Sequence, residues 1–305
     1  MSFTSVVKNE VSKLETIETE NISELSAVLR TIGTFENAIH ISTENASVAR
    51  RIFYLLKEQY RIRARITVRH GYNFNKNYIY LLEVNQKWRE ILDDLSIDYL
   101  DSDKLPKEYI YDDPQLIRAY LRGLFLAVGS INDPKKSRYH LEFIVDSEKY
   151  AYFIMDLLNQ FNFNSKVLKR DNKYMIYMKE AEKIGDFLRL LGTYNALFYY
   201  EDIRIYRDHK NMTNRLNNCE QANVDKMIAT AMEQVHQIEL IKEKATLDLL
   251  DDKTKEAAIY RLKYPEVSLN ELSEIITLET GNPITKSGLY HRFHKIKTLS
   301  EKLKK

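Results

Sequence analysis

The sequence is poor in the residues that stabilise small secreted proteins and build metal sites. It contains one cysteine, Cys219, among 305 residues, so no intrachain disulfide can form. A single thiol without a neighbouring Cys or His pair is also a poor basis for a structural zinc site. We therefore expect no disulfide, no metal and no other cofactor.

Glycine-rich loops and long apolar segments are also missing. The eight glycines are scattered and form no phosphate-binding loop, and no G-x-S-x-G sequence of the hydrolase type occurs. The longest apolar stretch, Gly123 to Gly129, is far shorter than the roughly 18 residues that crossing a bilayer requires. The first residues lack the basic and apolar regions of a secretory signal. These absences predict a cytoplasmic protein with no membrane partner.

No charge of one sign dominates, since 46 Lys and Arg residues against 44 Asp and Glu residues give a net charge of +2. The distribution is uneven, however. Residues 93–113 contain eight acidic residues and two lysines, whereas residues 284–305 contain seven basic residues and one acid. A near-neutral total therefore hides local charge, and any binding to nucleic acid should be confined to basic segments.

Two parts of the chain share one order of predicted elements, 102 residues apart, at Ile39–Leu56 and Leu141–Leu158. Each part reads as a strand, a turn and a helix. A further helix precedes each part, the first capped by Ser23 and the second opened by Asp113 and a following proline. The repeat predicts a pseudo-twofold α+β domain over residues 1–200, with repeats at about 20–85 and 113–200.

Two strand-like runs follow the helix of each repeat, Arg61–Arg69 and Asn77–Val84 in the first and Lys166–Arg170 and Lys173–Lys179 in the second. The first of these runs is basic. In the run from Arg61 to Arg69, alternate residues carry the basic side chains, and apolar residues occupy the opposite face. The basic positions are Arg61, Arg63, Arg65 and Arg69, and the apolar positions are Ile62, Ala64, Ile66 and Val68. The second repeat offers Lys166 and Arg170 on one face and Lys169 on the other. Such a row of basic side chains either contacts nucleic acid or simply lies on an outer face exposed to water, and the sequence favours neither interpretation.

Residues 201–222 are predicted to form a basic hinge between two domains, because Ile203–Asn217 at its centre contains one acid, Asp208, against four cations: Arg204, Arg207, Lys210 and Arg215. A long amphipathic helix then follows, with apolar residues at helical spacing from Val224 to Ile241. The remainder, residues 223–305, is predicted to be an all-helical domain.

The end of the chain has the pattern of a helix-turn-helix. A helix over Lys253–Lys263 precedes one over Leu269–Ile276 capped by Ser268, and a turn at Gly281 leads to a final helix from about Thr285. In such arrangements the last helix enters the major groove of DNA, and basic and hydrogen-bonding residues contact phosphates and base edges. The candidate DNA-binding residues on this helix are Thr285, Lys286, Ser287, Tyr290, His291, Arg292, Lys295 and Lys297.

This tail has two other readings. A run of charges often means only a solvated helix. His291 and His294 lie one helical turn apart, but no third ligand accompanies them, so a metal site is not expected.

Two nine-residue stretches resemble a known motif. Leu121 to Gly129 is similar to the motif helix of LAGLIDADG homing endonucleases, and Leu25 to Gly33 occupies the same place in the first repeat. Together with Asn214–Asn223 and Lys286–Arg292, nearly the whole chain resembles the WhiA family of bacterial sporulation and cell-division transcription regulators. The resemblance implies a LAGLIDADG homing-endonuclease-like N-terminal domain followed by an all-α helix-turn-helix domain.

The resemblance to the endonucleases stops at their catalytic acids. In those enzymes an acidic residue before each terminal glycine holds the divalent cations, but here Ile32 and Val128 occupy these positions and cannot bind a hard cation. Small residues recur on both helices, at Ala27 and Thr31 and at Gly123 and Ala127, so close helix packing is retained. We therefore expect a scaffold without catalytic activity.

The family resemblance implies a DNA-binding transcription regulator with roles in cell division, chromosome segregation and sporulation. Its partners would be double-stranded DNA and RNA polymerase or another transcription factor, in association with the nucleoid. Two alternatives stay open. One is a divergent metal-dependent DNA endonuclease that uses displaced acids such as Asp133 or Glu36, and the other is an RNA-associated or assembly-associated factor.

Overall fold

A computed structural model of the chain describes residues 2–70, 78–101, 103–136 and 138–304. The chain divides into two compact units, Met1–Arg207 and Asp208–Lys305. The domain boundaries expected at residues 200 and 223 stay a prediction.

The first unit contains two repeats of the same elements. The first repeat comprises α1 (Phe3–Val11), α2 (Glu18–Ile32), β1 (Gly33–Phe35), β2 (Ile39–Thr43), α3 (Ala46–Tyr60), β3 (Arg65–His70), β4 (Tyr78–Val84) and α4 (Trp88–Asp94). A short 3-10 helix (Glu108–Ile110) leads into the second repeat. That repeat comprises α5 (Pro114–Val128), β5 (Ser130–Ile131), β6 (Leu141–Val145), α6 (Glu148–Gln160), β7 (Lys166–Arg170), β8 (Lys173–Met178) and α7 (Ala181–Leu191).

Each repeat forms a four-stranded antiparallel sheet, and the strand orders β1-β2-β4-β3 and β5-β6-β8-β7 correspond. The registers correspond as well, since Ile41 pairs with Leu82 in one sheet and Phe143 pairs with Ile176 in the other. These four side chains are buried. The structure therefore confirms the predicted α+β fold with an internal repeat.

Local capping explains where several helices begin. Asn45 and Ser147 cap α3 and α6 by accepting hydrogen bonds from backbone N–H groups of the first turn. Asp113 caps α5 with Pro114 at its first position, as predicted. The prediction that Ser23 caps the first motif helix is wrong, because α2 begins at Glu18 and the buried Ser23 hydroxyl donates to the Ile110 carbonyl oxygen instead.

Helices α2 and α5 cross closely in the centre of the first unit. A Cβ atom at Gly123 would lie only 2.1 Å from the Glu24 carbonyl oxygen and 3.0 Å from the Ala27 Cβ. Glycine is therefore required at this crossing because any side chain would collide with the facing backbone. The close helix packing expected from the small residues is confirmed at this position.

A buried ion pair lies beside this crossing. The Arg51 guanidinium donates to both Glu24 carboxylate oxygens, at 2.7 Å from Nε and 2.8 Å from Nη2. The two side chains are 3% and 0% exposed. Arg51 also donates to the Leu14 carbonyl oxygen and the Thr16 hydroxyl, so this charge is held by several hydrogen bonds.

The acidic segment at residues 93–113 is partly buried against the first unit. Leu95 and Ile110 are fully buried, and the Ser26 hydroxyl donates to the Leu95 carbonyl oxygen. The Arg30 side chain donates to the carbonyl oxygens of Ser96 and Lys104. Leu95 and Ile110 of the segment thus lie in the core beside α2, while most of its acids are exposed.

The strand predicted from Arg61 is shorter than expected. β3 begins at Arg65, because Arg61 adopts a left-handed conformation with φ of 57° and ends α3. Arg61 and Arg63 are nevertheless exposed, with Ile62 and Ala64 buried between and after them. Ile66 and Val68 are exposed, so the apolar face predicted for them is not buried. Asn77, predicted to open the next strand, lies outside the described residues.

The second unit consists of helices. Helix α8 (Tyr194–Lys244) begins in the first unit, and a 3-10 helix (Leu247–Leu249), α9 (Asp252–Lys263), α10 (Leu269–Thr280) and α11 (Lys286–Lys304) follow. The long helix predicted over Val224–Ile241 is present, but it begins much earlier than that pattern, because α8 also contains the whole predicted hinge. No glycine or proline occurs between Tyr194 and Lys244, so neither of the two helix-breaking residue types interrupts α8.

The core of the second unit joins α8 to the three short helices. Ile238 and Ile241 of α8 pack with apolar residues at helical spacing on α9, α10 and α11. The other buried members of this core are Ala257, Ala258, Leu272, Ile276, Leu289, Phe293 and Ile296.

Candidate nucleic-acid interface

The helix-turn-helix is built from α10, a turn and α11. Ser268 and Glu271 form a reciprocal capping box at the start of α10, as its capping by Ser268 predicted. Gly281 ends the helix in the left-handed region with φ of 72°, which favours glycine. The Thr285 hydroxyl then accepts a hydrogen bond from the Gly288 N–H in the first turn of α11. Local sequence therefore fixes both ends of the turn that positions α11.

Helix α11 has one buried and one exposed face. Leu289, Phe293 and Ile296 face the core, and Arg261 stacks over the Phe293 ring with 5.4 Å between the guanidinium carbon and the ring centroid. The opposite face exposes the predicted candidates Ser287, Tyr290 and His291, together with His294. Lys286 is exposed at the N-terminal end. These side chains offer hydrogen-bond donors and acceptors of the kind that contact base edges and phosphates.

The other predicted cations of α11 are paired within the second unit. Arg292 is half-buried, and its Nη1 donates to the Lys253 carbonyl oxygen at 2.9 Å and to a Glu256 carboxylate oxygen at 3.2 Å. The Lys295 ammonium lies 2.9 Å from an Asp251 carboxylate oxygen, and that of Lys297 lies 3.9 Å from Glu233. The basic excess counted along the tail is therefore partly neutralised by acids from α8 and α9.

Asp251 illustrates this neutralisation. Its carboxylate accepts hydrogen bonds from the Lys295 ammonium and the Thr254 backbone N–H, which lower its pKa to about 2. The same carboxylate caps α9. Lys295 therefore has a structural partner within the unit as well as an exposed position.

Lys286 lies beside a cleft that sequence reasoning missed. The cleft, about 380 Å³ in volume, is also lined by Lys226 of α8 and by Ser268 and Asn270 at the start of α10. Lys226 and Lys286 are sixty positions apart in the chain. No local pattern connects them, because only the packing of α8 against α10 brings them to one cleft.

The three arginines of the predicted basic hinge have different surroundings. Arg204 pairs with Glu201 at 2.7 Å along α8. Arg207 donates to the carbonyl oxygens of Pro134 and Lys136, and its guanidinium stacks 4.5 Å from the Tyr139 ring centroid. Arg215 is exposed on α8. Packing therefore occupies Arg207, and Arg215 is the member of this group that solvent reaches most freely.

The sheet registers place the remaining predicted cations. Arg65 and Arg69 share one face of the first sheet, and Arg65 lies opposite Glu83 of β4. In the second sheet Lys166 and Arg170 share a face and Lys169 lies on the other, as predicted. All of these side chains are exposed at sheet edges. Contact of this surface with DNA stays a prediction.

The ends of the two motif helices carry no ligand for a divalent cation. α2 ends at Ile32 and α5 ends at Val128, each followed by its glycine. Hydrocarbon side chains cannot coordinate Mg²⁺, so these positions do not fit the metal of an endonuclease. Throughout residues 2–70, 78–101, 103–136 and 138–304, the structure forms no cluster of three or more His, Cys, Asp or Glu side chains suited to a metal ion. Asp133 and Glu36 both lie beyond the helix ends.

Within the part of the chain that the structure describes, no helix is both long enough and apolar enough to span a membrane. The exposed Cys219 lies on α8.

The fold and the candidate interface together define a class: a LAGLIDADG-like scaffold that lacks metal-binding acids at its motif helix ends, followed by a helix-turn-helix. Three family models match successive parts of the chain. They describe a WhiA N-terminal LAGLIDADG-like domain at residues 18–98, a WhiA LAGLIDADG-like domain at 117–210 and a WhiA C-terminal HTH domain at 213–300.

Similar proteins agree with these matches over the full length. "Probable cell division protein WhiA" of Bacillus cytotoxicus is 44% identical over 312 residues, covering 100% of this chain and 98% of the relative. The protein of the same name from Staphylococcus aureus strain JH9 is 42% identical, with the same coverage. The chain therefore belongs to the WhiA family, which confirms the family resemblance.

Solved structures show the same architecture. The crystal structure of full-length DUF199/WhiA from Thermatoga maritima matches with a TM-score of 0.59 at 25% identity, over 99% of both chains. A structure of the N-terminal LAGLIDADG domain of DUF199/WhiA, 23% identical, matches with a TM-score of 0.50 over 63% of this chain and 92% of that one. Both support the fold class predicted from the sequence.

Proposed function

We propose that this protein is a sequence-specific regulator of transcription that binds double-stranded DNA through α11 and does not cleave it. The observation that carries this proposal is the exposed face of α11. Ser287, Tyr290 and His291 present polar groups there, and Lys286 lies at the helix start, while the opposite face packs on the core of a helix-turn-helix. This is the arrangement with which such a helix reads base edges and contacts phosphates.

We infer the biological process from the names of similar proteins. Proteins 42 to 44% identical over the full chain are named probable cell division protein, so we assign this protein to the control of cell division. Regulation of chromosome segregation and sporulation, association with the nucleoid, and contact with RNA polymerase or another transcription factor belong to the same proposal. A genome-wide map of DNA occupancy in the native organism tests these assignments together, because it identifies both the sites and the regulated genes.

The role of α11 is tested by the salt dependence of DNA binding by the full-length protein. Lys286→Ala removes one phosphate contact, so affinity should fall for all sequences, and the slope of log K against log salt concentration should decrease by about 1. Tyr290→Ala should instead reduce the preference for a specific site. Lys242→Ala is the matched control, because Lys242 is an exposed lysine of α8 within the same unit.

Unchanged affinity and salt slope in Lys286→Ala would contradict the assigned role of α11. The absence of cleavage is tested separately by incubating the protein with supercoiled plasmid and Mg²⁺ or Mn²⁺. We expect no nicking, because Ile32 and Val128 stand where the metal-binding acids would be. Metal-dependent nicking by purified protein would favour the endonuclease alternative.

A further inference from the structure

The cleft beside Lys286 is positively charged and is built from four helices of the second unit. Three cations line it, Lys226 of α8, Arg261 of α9 and Lys286 of α11, and none of the described lining residues is an acid. Within the described chain, neither lysine lies within 4.0 Å of a carboxylate oxygen. In this respect the two lysines differ from Lys295 and Lys297 of α11, which have acidic partners.

Arg261 is the buried cation of this cleft, with only 1% of its surface exposed. Its Nη1 donates to the carbonyl oxygens of Val267 and Tyr264, at 2.7 and 3.3 Å, but its Nε has no acceptor among the described residues. Burying a cation without a carboxylate costs free energy that a bound anion would offset. The cleft therefore combines a buried positive charge with a donor that lacks an acceptor.

The start of α10 adds backbone donors to the lining. The capping box between Ser268 and Glu271 occupies the N–H groups of these two residues. The N–H groups of Leu269 and Asn270, both of which line the cleft, are the first two of the helix and have no acceptor within it. Such groups favour an anion, because the positive end of the helix dipole lies there as well.

The lining suits the phosphate of a polymer better than a free nucleotide. None of the described lining residues is aromatic, so the cleft offers no ring on which a base could stack. Lys226 and Lys286 are exposed, and Lys286 begins the helix whose outer face we propose to read DNA. The sugar–phosphate backbone borders the groove that such a helix enters, so this cleft lies where a backbone would pass.

We propose that this cleft receives the sugar–phosphate backbone of bound DNA, and that Lys226 of α8 contacts a phosphate next to the one that Lys286 contacts. The inference rests on the proposed function of α11. It extends the DNA interface to α8, which is not part of the helix-turn-helix.

The test measures the affinity of the full-length protein for DNA against salt concentration, with a duplex from an occupied genomic site and with an unrelated duplex. Lys226→Ala should weaken binding to both about tenfold, because both lose one charge-assisted contact. It should also decrease the slope of log K against log salt concentration by about 1, and Lys226→Ala/Lys286→Ala should decrease it by about 2. Lys226→Arg keeps the charge and should bind as the wild type does.

Lys242→Ala, an exposed lysine variant of the same helix, is the matched control and should bind like the wild type. Thermal melts should show that all these variants fold, because the replaced side chains are exposed. The inference is overturned, and the proposed function stands, if Lys286→Ala weakens DNA binding while Lys226→Ala behaves like Lys242→Ala. If neither variant weakens binding, or if the wild type does not bind DNA, the proposed function is overturned as well.

ATP and inorganic phosphate, added at equal ionic strength, separate a DNA phosphate from a free one. We expect neither to raise the melting temperature of the wild type above that of Lys226→Ala. A free phosphate or nucleotide that stabilises the wild type but not Lys226→Ala, with the DNA affinity of that variant unchanged, would assign the cleft to a free anion and overturn the inference.

Discussion

In the first unit the Glu24 and Arg51 side chains are 0% and 3% exposed, whereas in the second unit Asp251 and Lys295 are 51% and 64% exposed. Both pairs are close, at 2.7 and 2.9 Å. The buried pair lies beside the crossing of α2 and α5, and the exposed pair connects the start of α9 to α11. Distance alone therefore does not distinguish the roles of these two ion pairs.

The difference lies in what surrounds the charges. A buried charge that loses its partner keeps its desolvation penalty, so the Glu24–Arg51 pair fixes the packing of the scaffold. Exposed pairs contribute little because water solvates either partner alone. Cations of the second unit can consequently exchange an internal carboxylate for a DNA phosphate at low energetic cost. The buried Glu24–Arg51 charges hold the scaffold together, whereas the charges of Asp251 and Lys295 in the second unit stay accessible to water.

The strongest test of this contrast is the substitution Arg51→Met. It leaves the fully buried Glu24 carboxylate without its bidentate partner, so we expect a loss of about 3–5 kcal/mol in the free energy of unfolding. Urea denaturation followed by circular dichroism measures this loss. The double variant Glu24→Leu/Arg51→Met removes both charges and should recover a large part of the stability.

A loss below about 1 kcal/mol in Arg51→Met would show that the buried pair resembles a surface pair. Equal stability of the single and double variants would show that the orphaned carboxylate is not the source of the effect.

For Lys8 we expect the opposite effect from that of Arg51→Met, because removal of the Lys8 charge should stabilise the first unit. Its pKa of about 8 in the folded protein, below the ordinary 10.5, means that the unfolded chain binds more protons between these pH values. Stability from this group therefore rises with pH from about 8 to about 10.5. Lys8→Met should exceed the wild type at pH 7 by up to about 3 kcal/mol, at 1.36 kcal/mol per pKa unit.

The difference between Lys8→Met and the wild type should close as the pH approaches 10.5. Denaturation of both proteins at pH 7, 9 and 10.5 isolates this effect, because the tyrosines titrate in both. A difference that is constant with pH would show that Lys8 is as well solvated in the folded protein as in the unfolded chain.

Substitution of one helical glycine in each unit compares how tightly the two units are packed around their helices. Gly123→Ala should destabilise the protein by about 1–3 kcal/mol, because the new methyl group would meet the Glu24 carbonyl oxygen at 2.1 Å. Gly288→Ala in α11 meets its nearest side-chain atoms only at 3.5 Å and should stabilise by about 0.5–1 kcal/mol through helix propensity. Thermal melts of the two variants measure both effects. Similar melting of Gly123→Ala and the wild type would show that the crossing is looser than the structure indicates.

Much of this fold could be predicted because its signals are local. Asp113 with Pro114 and Ser268 with Glu271 mark helix starts, and the alternation of apolar residues in Ile39–Thr43 marks a strand. The repeat then indicates the fold class, because both copies contain the same order of helices and strands and so form the same kind of sheet. The prediction failed where a local signal was overruled by a tertiary contact, as at Ser23, whose hydroxyl bonds Ile110 instead of capping a helix.

The candidate sites were only partly predictable for the same reason. The exposed polar face of α11 follows from its helical periodicity. The pairing of Arg292 with Glu256 and the lining of one cleft by Lys226 and Lys286 depend on packing between elements distant in sequence. A charge count along the chain treats Lys286 and Arg292 alike, although Lys286 is exposed and Arg292 is half-buried.

The smallest expected effect concerns the exposed ion pair of Asp251 and Lys295. The pKa of Asp251 is lowered from 3.8 to about 2 by Lys295 and the Thr254 N–H, so its stabilising contribution is present above pH 3.8 and is lost as the pH falls towards 2. Asp251→Asn should therefore slightly lower the melting temperature at pH 7 and leave it unchanged near pH 2. It should also strengthen DNA binding slightly, because Lys295 would no longer have to break its ion pair with Asp251 to contact a phosphate. Lower DNA affinity in Asp251→Asn would show that the pair positions Lys295 for DNA instead of competing with it.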